Sequence, residues 1–245
     1  MTTRLANDPD VEDGVYYPSE DGKPMADTPV HARCMVLLFQ ALEDCFRNRP
    51  EVYVALNMNW YWEQGNARAR RAPDVMVIPG VGQRDRRSFR SWNEGGAIPA
   101  VCFELAALKT WRANLGAVRD DYEAQGVREY FIFDPRVQFL DDALTGYRLR
   151  GNRYASLRPD RDGGMISRQL NLRLVPEGEM LRLMDLRSGE PILTRTERIA
   201  VEAARADKQA ARADRETARA EALVAEVARL KAQLRAAGES PNGAD

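Results

Sequence analysis

The chain has 245 residues, 44% of them hydrophobic and 30% charged, with a formal net charge of −1. That supports one folded domain plus an extension, and leaves any attraction to nucleic acid to local patches rather than bulk charge. No apolar run is long enough for a bilayer and none reads as a signal peptide; one histidine excludes zinc clusters, and Cys34, Cys45 and Cys102 read as reduced core residues, so a cytoplasmic protein is expected.

Residues 1–27 are acidic and carry Pro and Gly, which predicts an irregular lead-in, with Val15-Tyr16-Tyr17 as the part that would be pinned to the domain. Thr28-Pro29 opens a helix, with Thr as the cap and Pro at the first helical position. Its apolar stripe is Cys34, Leu37, Leu38, Ala41, Leu42 and Cys45, and Asn48-Arg49-Pro50 ends it. His31 falls in the first turn, as a packing or capping residue or at the rim of a site.

Val52 to Trp62 alternates and is aromatic, which predicts a strand or half of a hairpin, turned by Gly65-Asn66. Glu63 just before that turn is expected to face solvent, with a third site acid as the alternative. Pro73 then starts a short strand, Asp74 to Ile78. A second short apolar run, Pro99 to Leu105, carries Glu104. Both runs are too brief for helices and read as buried strands. A carboxylate in such a place needs a reason, because burying an unpaired charge is expensive. Two carboxylates brought together by neighbouring strands make a hard, oxygen-rich site suited to Mg²⁺ or Mn²⁺. Asp74 and Glu104 are therefore the candidate metal ligands.

Between the two runs, Gly80 to Gly96 reads as a long basic loop. Arg84, Arg86, Arg87 and Arg90, interleaved with Phe89 and Trp92 and joined by Arg68, Arg70 and Arg71, suit phosphate contacts and base stacking. An ordinary solvated loop is the competing reading.

Leu115, Val118 and Tyr122 mark one face of a helix that Gly126 ends. Glu129 to Asp134 is a strand closed by Pro135. Leu144 to Leu157 reads as a hairpin turning at Gly151-Asn152, and Ile166 to Val175 and Met180 to Asp185 add short strands. The order of elements predicts an α+β domain around a mixed sheet, residues 28–192. Residues 195–237, rich in Ala, Arg and Glu, predict one long helix. Leu223, Val227, Leu230 and Leu234 form a coiled-coil seam there, continued upstream by Ala203, Ala206, Ala210 and Ala213, and the seam suits a homodimer. Residues 238–245 are expected to be disordered.

Pro73-Asp74, Trp92-x-Glu94-Gly95, Phe103-Glu104, Tyr122-x-x-x-Gly126-Val127-x-Glu129-Tyr130 and Asp134-Pro135 stand in an order that resembles the Uma-two family of restriction endonucleases. That family lies within the PD-(D/E)xK nuclease superfamily. Glu63-x-Gly65-Asn66, Leu174-Val175-Pro176-Glu177-Gly178 and the helical tail are similar to its long bacterial members. The resemblance spans roughly residues 31 to 234. It implies a restriction-endonuclease-like fold, DNA as substrate, Mg²⁺-dependent phosphodiester hydrolysis, and Asp74 and Glu104 as metal-binding catalytic acids. It also implies a lysine on the helix where this chain has Val118, and serine where it has Ala107. Lys109 and Arg119 are the nearest substitutes in sequence, with Lys109 the candidate catalytic cation. A member that has lost cleavage and binds nucleic acid or protein through the basic loop and coiled coil is the alternative.

Overall fold

A computed structural model describes residues 10–20 and 26–238. The chain divides into two compact units, residues 1–194 and 195–245.

The first unit opens with a small hairpin, β1 (Val11–Glu12) and β2 (Val15–Tyr16), where sequence suggests an irregular arm. Asp10 and Tyr17 at its base are buried, so this lead-in is part of the domain. Residues 1–9 and 21–25, the remainder of the expected lead-in, lie outside the described residues, as do residues 239–245.

Helix α1 (Pro29–Cys45) begins as its sequence requires: the Thr28 hydroxyl accepts from the His31 backbone nitrogen at 3.1 Å, and Pro29 occupies the first turn. It buries Cys34, Met35, Leu38, Ala41 and Leu42; Met35 joins the face that the predicted stripe assigns to Leu37.

The remaining strands are β3 (Val52–Leu56), β4 (Trp60–Tyr61), β5 (Arg70–Arg71), β6 (Val75–Pro79), β7 (Phe89–Arg90), β8 (Val101–Leu105), β9 (Glu129–Phe133), β10 (Leu144–Arg150), β11 (Arg153–Ser156), β12 (Met165–Ser167), β13 (Leu172–Glu177) and β14 (Met180–Asp185). The central sheet runs β11-β10-β9-β8-β6-β3, and only its β8–β9 pair is parallel. Of two three-stranded sheets, β12-β13-β14 follows it in the chain and β5-β4-β7 is built from strands interleaved between β3 and β8. This is the mixed α+β architecture the sequence predicts.

Alternation along β6 and β8 sends side chains to two cores. Val75, Val77, Val101, Phe103 and Leu105 pack with α1 and with Leu172, Leu174 and Leu183. Met76, Ile78, Cys102, Tyr130 and Ile132 pack on the other face with Trp60, Tyr122 and Val127.

The segment expected as a single helix is broken into α2 (Trp111–Leu115) and α3 (Ala117–Ala124). Gly116 makes the break at φ −115° and ψ −105°, outside the helical region. Gly126 closes the segment after α3 with φ +80°, a conformation that favours glycine. The expected loop at Gly80 to Gly96 also carries structure, β7 and a short 3₁₀ turn at Ser91–Glu94.

The second unit contains α4 (Arg195–Gly238), a helix of 44 residues. Ala204, Ala211, Ala218 and Ala225 recur every seventh position, and Arg205, Arg212 and Arg219 recur beside them. Leu223, Val227, Leu230 and Leu234 are exposed.

Candidate active site

Asp74 directly precedes β6, and Glu104 lies near the end of β8. The two strands are antiparallel, with Val75 opposite Phe103 and Met76 opposite Cys102. Asp74, in the bend just before β6, and Glu104, within β8, each stand one residue beyond the Val75–Phe103 pair at this end of the ladder. Alternation puts Glu104 on the face of Cys102, where Tyr122 and Tyr130 pack, while Asp74 meets His31 of α1.

Each carboxylate is held through one oxygen. Oδ2 of Asp74 accepts from the Leu105 backbone nitrogen at 2.6 Å and lies 3.2 Å from Nε2 of His31. Oε1 of Glu104 accepts from the Tyr122 hydroxyl at 2.7 Å. Among the described residues, Oδ1 of Asp74 and Oε2 of Glu104 accept no hydrogen bond, so each acid keeps an oxygen available to a ligand.

Burial, followed by the negative charge of Asp74, pushes the Glu104 carboxyl well above the usual carboxylate range; the Tyr122 hydrogen bond and the charge of Arg71 oppose that shift. His31 shows the complementary effect. Burial pulls its pKa down, but the hydrogen bond to Asp74 and the charges of Asp74 and Asp27 bring the net value above the ordinary one. Burial and the neighbouring acid thus disfavour a second negative charge at this pair, and a bound cation would offset that effect.

A cavity of about 230 Å³ lies beside His31 and Leu105, with Lys109, Asp134, Arg136 and Phe139 also in its wall; neither Asp74 nor Glu104 lines it. Lys109 is exposed on the loop after β8, and among the described residues it makes no ion pair. Asp134 is taken up locally: its carboxylate accepts from the backbone nitrogens of Phe139 at 2.6 Å and Leu140 at 3.0 Å, fixing the turn after β9. Glu63 is exposed and accepts from Asn66, away from the pair.

Val118 packs against the apolar cluster of Trp60, Tyr122 and Tyr130. Arg119, one position on, donates to Asp120 and lies over the Tyr147 ring, 5.8 Å from its centroid. The cation that sequence reasoning passes over individually is Arg71. Its Nη2 lies 2.5 Å from Oδ2 of Asp121 in α3, the neighbour of Tyr122. In sequence it is one of three clustered arginines, and nothing local singles it out.

The basic loop is largely neutralised by acids. Arg84 and Arg86 pair with Glu94, Arg87 with Asp10 and Arg90 with Glu12. Arg86 and Arg90 are 5% and 11% exposed, whereas Arg84 and Arg87 are 63% and 60% exposed and present guanidinium surface. The stacking expected of Phe89 and Trp92 is corrected. Phe89 is fully buried, and the Trp92 indole packs against Tyr17 while its Nε1 donates to Glu12 at 2.8 Å. These rings hold the hairpin and loop together.

The donor chemistry suits a hard divalent cation. Two carboxylates are a common protein contribution to a Mg²⁺ site, where water and substrate oxygens complete the shell. Among the described residues there is no group of three or more His, Cys, Asp or Glu placed to hold a metal.

No curated protein matches this chain. Among solved structures, the chain is similar to the "Crystal structure of a putative nuclease belonging to DUF820" from Anabaena variabilis, at 11% identity and a TM-score of 0.42, covering 65% of this chain and 80% of that one. The model of the Uma2 family, described as "Putative restriction endonuclease", matches residues 15–176. That is well over half of the 245 residues, and the chain belongs to the Uma2 family.

Proposed function

We propose that this protein is a Mg²⁺- or Mn²⁺-dependent endonuclease that hydrolyses phosphodiester bonds of DNA, with Asp74 and Glu104 as its metal-binding catalytic acids. The observation that carries the reading is that Asp74 and Glu104 each stand one residue beyond the Val75–Phe103 pair of β6 and β8, each with one oxygen uncommitted. A divalent cation at such a pair supplies a Lewis acid that lowers the pKa of a water and offsets charge on the phosphate. Hydrolysis consumes one water, breaks one P–O ester bond and leaves a phosphomonoester and a hydroxyl. The chain's own part is to orient the carboxylates. The Leu105 N–H and His31 fix Asp74, and the Tyr122 hydroxyl fixes Glu104. Lys109, exposed in the wall of the cavity beside His31 and Leu105, is a candidate contact for a substrate phosphate. Arg84 and Arg87 offer exposed guanidinium groups for phosphates farther along the duplex, with Arg86 and Arg90 shaping the loop beneath them.

The test is plasmid nicking with added Mg²⁺ or Mn²⁺, comparing native protein with Asp74→Ala at equal folded concentration. Nicking that requires the ion and disappears in Asp74→Ala is expected. Nicking that persists in EDTA or in Asp74→Ala would refute the reading.

Val118 favours a second reading. An apolar residue stands where the family resemblance implies a lysine, and a site stripped of its cation would bind without cutting. Native protein that binds Mn²⁺ and DNA yet leaves plasmid intact would support it.

The exposed seam of α4 fits a second copy of the chain in parallel register. Reading Leu223 and Leu230 as heptad d and Val227 and Leu234 as a, the g line contains Arg205, Arg212, Arg219 and Glu226. Antiparallel pairing would set those arginines against one another. Parallel pairing sets Glu226 against Lys231 of the partner subunit.

A further inference from the structure

A pair of facing carboxylates that handles a phosphate needs positive charge close by, fixed before the substrate arrives. Val118 supplies none, Arg119 lies over the Tyr147 ring rather than beside Tyr122, and Lys109 is on an exposed loop. We propose that Arg71 is the catalytic cation of this site, contacting the non-bridging oxygens of the scissile phosphate beside Glu104 while Asp121 holds its guanidinium in place. The proposal rests on the reading of Asp74 and Glu104 as a phosphodiesterase site.

Four relationships place Arg71 there. In the β4–β5 ladder it stands opposite Trp60, so the two side chains share a face. The Trp60 ring stacks on Tyr122, with centroids 6.3 Å apart and planes at 18°. The Tyr122 hydroxyl in turn donates to Oε1 of Glu104. The ion pair of Arg71 is with Asp121, next to Tyr122 in α3. The guanidinium is therefore tethered to the same turn of helix that holds Glu104.

Its remaining donors are suited to the task. Nε is buried and, among the described residues, donates to nothing. An unused buried donor is costly and marks a place where a partner is missing. A guanidinium anchored on one side by a carboxylate still presents N–H groups on the other, in the planar fork that matches two phosphate oxygens. A strand-borne arginine with a helix-borne acid behind it thus does what a helix lysine would do from position 118.

The experiment compares native protein, Arg71→Ala, Arg71→Lys, Asp121→Asn and the double variant Arg71→Ala/Val118→Lys. Four quantities are measured: thermal midpoint, Mn²⁺ affinity by calorimetry, and kcat and KM for nicking of a supercoiled plasmid. Arg71→Ala is expected to keep its affinity for Mn²⁺ and lose on the order of 10²–10³ in kcat, with a smaller change in KM. Arg71→Lys should keep part of the rate, because it keeps the charge but not the fork. Asp121→Asn should lose less than Arg71→Ala. The double variant should recover rate over Arg71→Ala. A merely structural arginine would not be rescued by a lysine on another element. If Arg71→Ala does not fold, Arg71→Gln, which keeps a donor for Asp121, takes its place. Nicking by the alanine or glutamine variant within about threefold of native would overturn the role of Arg71 and leave the metal-nuclease reading standing. Native protein that binds Mn²⁺ but nicks nothing would overturn both the role of Arg71 and the cleavage reading, leaving a binding module. Native protein that binds no Mn²⁺ would sink the metal site itself.

Discussion

The backbone nitrogen of Leu105 lies 2.6 Å from Oδ2 of Asp74, so the residue that follows Glu104 in the chain grips the other acid of the pair. This bond ties Asp74 to the strand that carries Glu104. It also explains why Asp74 tolerates its burial: a carboxylate that accepts a backbone N–H and faces an imidazole recovers part of its lost solvation.

The contact of His31 with Asp74 has a measurable consequence. The His31 pKa in the fold is raised: burial lowers it, but the hydrogen bond and charge of Asp74, with Asp27, more than compensate. A raised pKa means that the protonated imidazole stabilises the native state. The contribution is complete below the unfolded value of about 6.5 and is lost as pH rises through the folded value. In EDTA at about pH 5.5, His31→Ala is expected to cost about 1–3 kcal/mol in urea unfolding, with the difference shrinking as the medium becomes alkaline. A cost independent of pH would mean that His31 acts through packing alone.

Much of this site is legible in the sequence because charges inside short apolar runs are anomalous. Asp74 and Glu104 stand out for that reason, and so does Val118, an apolar residue on a helix face turned to the sheet. The rest depends on pairings between distant segments. Glu12 and Asp10 neutralise Arg90 and Arg87 from far upstream, and no local pattern announces it. Arg71 likewise gains its meaning only when β5 packs beside α3 and meets Asp121. The division of α2 from α3 turns on the backbone of Gly116, and a glycine within a helical pattern does not reveal whether it will break the helix.

The hairpin of β1 and β2 should respond to acid. Its attachments are Asp10 and Glu12. The hydrogen bond from Arg87 foremost holds the Asp10 carboxyl below its usual value, against the effect of burial. Burial is the largest influence on Glu12 and acts upward, but hydrogen bonds from Trp92, Arg90 and Asn93 together bring the net value down. Depressed carboxylates stabilise above their unfolded pKa and lose that contribution as pH falls through the folded one. The hairpin should therefore loosen below about pH 4, near the ordinary carboxylate range. Hydrogen exchange is expected to show residues 10–20 losing protection before the central sheet, and Glu12→Gln to shift that onset to higher pH. Simultaneous loss in hairpin and sheet would contradict this.

The seam of α4 predicts a concentration-dependent dimer. Leu223→Glu with Leu230→Glu places charges at two heptad core positions and should yield monomer by sedimentation equilibrium, with the thermal unfolding of the first unit unchanged. If the native chain is monomeric at tens of micromolar, or the double variant remains dimeric, the seam is not a self-association surface.

The central claim is that one divalent ion joins Asp74 to Glu104. Crystals grown or soaked with Mn²⁺ and measured for anomalous scattering test it most directly. The account predicts a peak bound by Asp74 and Glu104 at oxygen–metal distances of about 2.0–2.3 Å, absent from crystals of Asp74→Ala. No peak at the pair, or one unaffected by Asp74→Ala, would contradict it.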